Sequence, residues 1–393
     1  MFAARPTVLK LGLFYATLYV GSGVGTPFIG LWLRAHGLSG GEIGVVLAAP
    51  MLARMIVGPG LAVWADGFKL RRTAIGWMAA ASMLGYGALF LRTGFWGWLI
   101  AWFVGVSGYW VAGSLIEVIT LRRAEREGFP YASARVWGSI AYILANVGAG
   151  ALLARTGPGL VVVWVTAAAA LSTLAAVTLL PADPVHDGPP GAAGRDRLKD
   201  AARLLRDPVF MLMLLSVAFV QAGHAFFYAF STLVWRAQGI APGWSGILWG
   251  VGVAAEVAFL WLGEPLRRRL GPERMLMLGA AGSVVRWTAF AFSPPLWLLF
   301  PLQALHTLSF TASFIASLEL TERLAPRETA SAAQSMNAAL SYGLMTGLGT
   351  MVSGPLYDHL GALGYLAMTA LALIGLAGAV RLKRELHPQT SGS

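Results

Sequence analysis

Among the ionisable side chains that interrupt otherwise apolar runs of the chain are Arg54, Glu117, Arg135, Glu256, Arg286 and His306. A charge in the middle of a membrane-spanning helix costs about 2.5–3.5 kcal/mol by insertion scales. Each of these groups must therefore be paired or face a water-filled cavity. Glu117 and Arg135 are 18 residues apart, with a heavily charged turn from Arg122 to Glu127 between them. A carboxylate and a planar guanidinium in that relation can pair, and can grip a polar solute through directional hydrogen bonds. Arg286 and His306 are 20 apart. A desolvated carboxyl such as Glu256 can carry a proton, with His306 the next candidate. Tyr142, Tyr228 and Trp249 offer flat faces against which a ring can pack. Arg135 also suits an interfacial anchor, since it opens its apolar run. The partner of Arg54 is not legible, and Glu319 reads as an ordinary boundary residue.

The elements that position these groups are long apolar helices. Polar residues inside them recur at helical spacing, which places them on single faces. One run carries Tyr15, Tyr19, Ser22 and Thr26, and another Arg135, Ser139, Tyr142 and Asn146. Gln221, His224, Tyr228, Ser231 and Trp235 form a third stripe, Gln303, His306, Phe310, Ser313 and Ser317 a fourth, and Gln334, Asn337 and Ser341 a fifth. Such faces suit an aqueous cavity with sites near its middle. Hydrogen bonding between helices explains the Ser, Thr and Asn members equally well.

Composition points the same way. Of 393 residues, 57% are hydrophobic and only 12% charged, about half the usual ~25% charged share of a soluble domain. The mean hydropathy is +0.66. The expected class is an all-α membrane protein, its 48 glycines suited to close helix packing. The chain has no cysteine, which excludes disulfides and thiolate metal sites. The net charge of +11 sits in short loops rather than on one face, which argues against nucleic acid. No Ser-His-Asp spacing, phosphate loop or metal cluster is present, so an enzyme, a metal or a cofactor is not expected.

Twelve spans are expected, at about 8–33, 42–65, 73–91, 96–121, 135–153, 160–180, 208–236, 244–266, 275–293, 295–320, 331–356 and 363–380. With the N-terminus inside, 22 Lys and Arg fall in cytoplasmic segments and 4 in outer loops, so both termini are expected in the cytoplasm. The polar stretch 181–207 divides the spans into residues 1–180 and 208–393. It reads as a cytoplasmic linker whose second part suits an amphipathic surface helix. The two halves also repeat. Gly41–Arg54 aligns with Gly243–Glu256, which makes Arg54 and Glu256 repeat mates, and each stretch runs into a basic loop.

Two parallel six-span repeats around a central linker resemble the major facilitator superfamily. In the loop after span two, Ala62, Asp66, Gly67, Lys69, Arg71 and Arg72 partly match that superfamily's Gly-x-x-x-Asp-Arg-x-Gly-Arg-Arg signature. The Asp and the two final basic residues match. The resemblance makes Asp66, Arg71 and Arg72 a conformational-gating loop, in a fold of two pseudo-symmetric six-helix halves.

A narrower resemblance follows from the charged residues. Glu117, Arg135 and the following SARVWGSIAY are similar to the carboxylate and arginine that grip sugar in the lactose permease group. Tyr142 falls where that group has a stacking Trp. Arg286 and His306 resemble its helix-nine arginine and helix-ten histidine, and Glu256 its helix-eight glutamate. Ser309 stands where the group has its proton-carrying Glu. The stretches QAGHAFFYAFSTLVWRAQG, GVGVAAEVAFLWL, SVVRW and QALHTLSFT resemble the phenylpropionate permease subfamily. This implies a proton-coupled symporter of a small organic solute, an aromatic carboxylate among the candidates, working by alternating access. Substrate would be bound by Glu117, Arg135, Tyr142, Asn146, Gln221, His224, Tyr228, Trp249 and Arg286, and the proton by Glu256 or His306. The alternatives are a proton-coupled drug or metabolite exporter, a sugar or nucleoside symporter, and a receptor or scaffold that transports nothing. The expected setting is a bacterial-type inner membrane, with the protein acting as a monomer on solute and protons.

Overall fold

The computed structural model describes residues 6–91, 93–185, 204–326 and 329–387. They form helices joined by short turns, with one isolated bridge pairing Leu70 and Pro184. Every expected span coincides with a helical rod. These are α1 Pro6–Ala35, α2 Gly40–Asp66, α3 Arg71–Ala88, α4 Gly94–Glu127, α5 Tyr131–Thr156 and α6 Gly159–Thr178. They continue as α7 Pro208–Ala237, α8 Pro242–Leu262, α9 Glu264–Ala291, α10 Leu296–Leu324, α11 over 330–360 and α12 Tyr365–Leu386.

Nine stretches among the described residues are long and apolar enough to cross a membrane. The last of these, Ala332–Leu386, holds both α11 and α12, while α3 and α9 are not among the nine. A 30-residue helix such as α1 rises about 45 Å, against a hydrocarbon core of ~30 Å. Large apolar side chains crowd the surface, among them Ile56, Leu84, Trp96, Val177, Leu262 and Trp297. That exposed apolar surface suits lipid and would be a liability in water.

Local chemistry sets the helix ends. Ser39 and Glu42 cap α2 reciprocally, and the Asp207 carboxylate accepts from the first amides of α7. α9 is kinked where Gly271 adopts φ 72° ahead of Pro272. Before the kink lies a short basic segment in which Arg268 and Arg267 hold the Glu264 carboxyl below the usual carboxylate range. Three interruptions were not expected. α7 breaks at Gly223–His224, and π-turns run through Thr307–Ala312 of α10 and Ala339–Met345 of α11. Such wide turns concentrate at functional sites.

The described residues divide into two compact units, drawn from Met1–Pro189 with Ser231–Gly250, and from Pro190–Phe230 with Val251–Ser393. The first has a core of Leu11, Phe14, Leu18, Ile75, Ile116 and Ile119. The second packs Phe210, Met213, Leu214, Val217, Met275, Leu276, Ile315 and Leu320. Ser231–Gly250 belongs to the first unit because backbones touch there: a Cβ on Gly246 would sit 2.1 Å from the Asn146 carbonyl oxygen.

The expected linker begins differently from the expectation. Residues 181–185 are pinned to the loop between α2 and α3: Arg71 N–H donates to the Asp183 carbonyl (3.0 Å) and Val185 N–H to the Lys69 carbonyl (3.2 Å). The amphipathic helix expected in the second part of 181–207 falls largely outside the described residues.

Candidate functional site

In the second unit, α8, α9 and α10 bring Glu256, Arg286 and His306 into one hydrogen-bonded chain. Arg286 is fully buried. Its guanidinium lies 4.5 Å from the Phe227 ring centroid, so an aromatic face covers what hydrogen bonds do not. One Nη donates to His306 Nδ1 at 2.8 Å, the other to Gln303 Oε1 at 2.5 Å. Because Arg has no acceptor, His306 Nδ1 must accept, and the ring's proton resides on Nε2. Nε2 lies 2.9 Å from Glu256 Oε1 and donates to it. His306 is therefore a neutral bridge that passes the charge of Arg286 on to Glu256. The Glu256 side chain is 20% exposed, the least enclosed of the three.

Ser309, on the π-turn of α10, extends the network. Its Oγ lies 3.3 Å from Arg286 Nη1 and 3.2 Å from His224 Nε2. Nδ1 of His224 faces the carbonyls of Val220 and Gln221 at the break of α7 (3.2 and 3.3 Å). Nδ1 is thus a donor, and Nε2 accepts from the serine. Gln221 is buried and Tyr228 half-buried; the Tyr228 ring stacks on His224. Gln303 and Ser309, absent from the expected site, complete the shell of Arg286. Gln303 already lay on a polar stripe of the sequence.

In the first unit the charges are arranged otherwise. Glu117 and Arg135 form no direct ion pair. The reason is a competing partner: Arg135 donates to Tyr19 Oη at 2.5 Å, and its guanidinium lies 4.2 Å from the Tyr19 and 5.5 Å from the Tyr15 ring centroids. Glu117, exposed on α4, stays within electrostatic reach of both Arg135 and Arg54. Arg54, on α2, lies over the ring of Trp110 at 5.1 Å. Sequence reasoning missed Trp110; the signal was its position seven residues before Glu117, on the same helix face. Tyr142 is half-buried on α5, and Trp249 is buried on α8. Asn146 is fully buried, and its amide donates to the Tyr142 carbonyl at 2.9 Å.

The loop residues split. Asp66 is exposed, whereas Arg71 clasps Asp183 at 2.7 Å, with Arg122 3.5 Å from the same oxygen. Arg72 donates to the Leu180 carbonyl at 3.4 Å. Asp183 is fully buried and was not expected as a partner. The PADP run directly after span six was its only trace in the sequence.

Long helical rods with large apolar side chains on their outer surface define an integral membrane protein. The MFS_1 like family model matches residues 8–366, and the chain belongs to that family of membrane transporters. It is similar to a maltose permease of Geobacillus stearothermophilus, 28% identical over 98% of this chain and 96% of the relative. It is equally similar to a probable 3-phenylpropionic acid transporter of Escherichia coli (strain K12), 28% identical over 92% and 94%. Among solved structures, nucleoside transporter NupG superposes with a TM-score of 0.77 at 18% identity, covering 97% of this chain and 99% of that one. A bacterial homologue of the human lysosomal transporter Spinster gives 0.73 at 16%, covering all of both chains. At those identities the solved structures speak to the fold.

Proposed function

We propose that this transporter is a proton-coupled symporter of a small organic solute, an aromatic carboxylate first among the candidates. It works by alternating access between the halves 1–180 and 208–393, as a monomer in a bacterial-type inner membrane with both termini cytoplasmic. The observation that carries the reading is the chain Arg286–His306–Glu256. Glu256 is the counter-charge of Arg286, reached through a neutral imidazole. A proton on Glu256 removes that counter-charge and leaves one positive charge uncompensated. An anionic solute then restores neutrality, so proton and solute bind best together. The fully enclosed Arg286 is held by His306, Gln303 and Ser309 and acts as the fixed charge; the less enclosed Glu256 exchanges the proton.

Glu256→Gln imitates the protonated state. In vesicles it should abolish accumulation against a gradient while leaving solute exchange intact. Retained proton-driven accumulation in that variant would remove Glu256 from the role, and loss confined to a His306 variant would move the role there. The likeness to a maltose permease supports a second reading, a neutral sugar as solute. One proton with a monocarboxylate moves no net charge, whereas one proton with a sugar does. Uptake of 3-phenylpropionate insensitive to membrane potential supports the acid, and potential-driven uptake of maltose supports the sugar.

A further inference from the structure

Beside Arg54 the first unit contains a cavity of about 250 Å³. Its walls come from one face of α2, with Arg54 and Val57, and one face of α4, with Ser107, Trp110, Ser114 and Leu115. We infer that this cavity is a carboxylate-binding subsite, with Arg54 the group that takes the anion and the apolar walls the seat of the solute's body. The inference rests on the transport reading above and names the solute class.

Three observations carry it. First, Arg54 makes no ion pair or hydrogen bond with any described residue, although Arg71, Arg123, Arg267, Arg286 and Arg323 all do. The indole face of Trp110 lies against its guanidinium instead, at 5.1 Å. That contact stabilises the cation and leaves the edge of the guanidinium, with its N–H donors, open to an oxyanion. Second, the charges of this cluster do not balance. Arg54 and Arg135 supply two cations, and Glu117, which feels both, supplies one anion. A bound carboxylate lowers that excess of positive charge, which is favourable wherever water is scarce. Third, the walls suit one anionic group on an apolar body rather than a phosphate. Val57, Leu61, Val111 and Leu115 are apolar, and only the hydroxyls of Ser107 and Ser114 add polarity beside the single guanidinium. The volume lies just under the ~300–1,000 Å³ usual for drug-sized ligands, which fits a solute of about one ring. A planar guanidinium binds a carboxylate through two parallel hydrogen bonds, a geometry that lysine cannot reproduce.

The test is equilibrium binding by calorimetry on the purified full-length protein, with no pH gradient. The probes are 3-phenylpropionate, benzoate and hexanoate, each beside its neutral amide. At least one acid should bind the wild type about tenfold to a hundredfold better than its amide, the range of a charged hydrogen bond. Arg54→Gln should remove that preference, leaving amide binding unchanged, and Arg54→Lys should restore it in part. Ser114→Leu, which fills the cavity without touching the charge, should weaken acid and amide together. The subsite is overturned if no acid is preferred over its amide, if Arg54→Gln keeps the preference, or if Ser114→Leu binds as the wild type does. Because nothing in this experiment is driven by protons, failure of the coupling scheme leaves its outcome untouched, and the reverse also holds.

Discussion

The two units treat an arginine set in an apolar helix in opposite ways. In the second, Arg286 has no exposed surface and donates to His306, Gln303 and Ser309. In the first, Arg54 is exposed, with an aromatic face beneath it and no acceptor. The helices that carry the contrast are repeats of one another. Arg54 lies 14 residues beyond Gly40, the first residue of α2, and Glu256 lies 14 beyond Pro242, the first of α8. The same position thus bears a cation in one half and an anion in the other. A charge locked among fixed partners can set the proton affinity of a neighbour, because its field does not move. A charge left without an acceptor can only be completed by something that arrives. The comparison teaches that the two units hold an arginine in different ways: one fixed among hydrogen-bond partners, the other left open beside an aromatic face.

The largest expected effect tests the locked side. Arg286→Met should cost about 3–5 kcal/mol of stability, since it leaves Glu256 as a buried charge without its counterpart. Adding Glu256→Gln should recover most of that loss, and thermal melting of the single and double variants in detergent reads it out. Arg54→Met should change stability little, by less than about 0.5 kcal/mol, as surface substitutions do. Equal losses at the two arginines would break the comparison.

The next effect is on affinity. Arg135→Lys keeps the charge but loses the planar fork that holds Tyr19 Oη. Solute affinity should fall about tenfold or more with the protein still folded and inserted, as a direct binding measurement would report. Near-normal transport by this variant would make Arg135 an anchor and not a ligand. A smaller change is expected at Asp183, where the first unit does pair a carboxylate, with Arg71 at 2.7 Å. Asp183→Asn should lower stability by about 1 kcal/mol, the net worth of a typical intramolecular hydrogen bond, and leave binding to either unit's site unchanged. An altered affinity would mean that this clasp communicates with the site. The least perturbing test concerns orientation. In this cysteine-free chain, Thr156→Cys should be labelled from outside intact cells and Lys383→Cys should not; the reverse pattern would invert the topology.

Much of the fold was legible in the residues. Apolar runs located the rods, α3 and α9 with less apolar character than the rest, because in lipid the backbone must satisfy its own hydrogen bonds and a helix is the local way to do so. The breaks were not legible. The opening at Gly223–His224 and the π-turn over Thr307–Ala312 depend on what packs beside them: His224 Nδ1 faces the carbonyls of Val220 and Gln221, and the Ser309 hydroxyl donates to the His306 carbonyl at 3.3 Å.

For the site, the sequence by itself marked which groups need compensation. A charge in an apolar run is costly wherever the chain goes, so Arg54, Glu117, Arg135, Glu256 and Arg286 were marked by composition alone. Tertiary structure decided how each is compensated. Spacing suggested that Arg135 answers Glu117, but the packing of α1 against α5 puts Tyr19 closer and gives it the hydrogen bond. The resemblance to the lactose permease group set Arg286 beside His306, while only the meeting of α8, α9 and α10 fixed the tautomer that links them to Glu256. The need for compensation is a property of one helix in a membrane. The choice of partner is set by distances of a few ångströms between helices, and no single helix contains them.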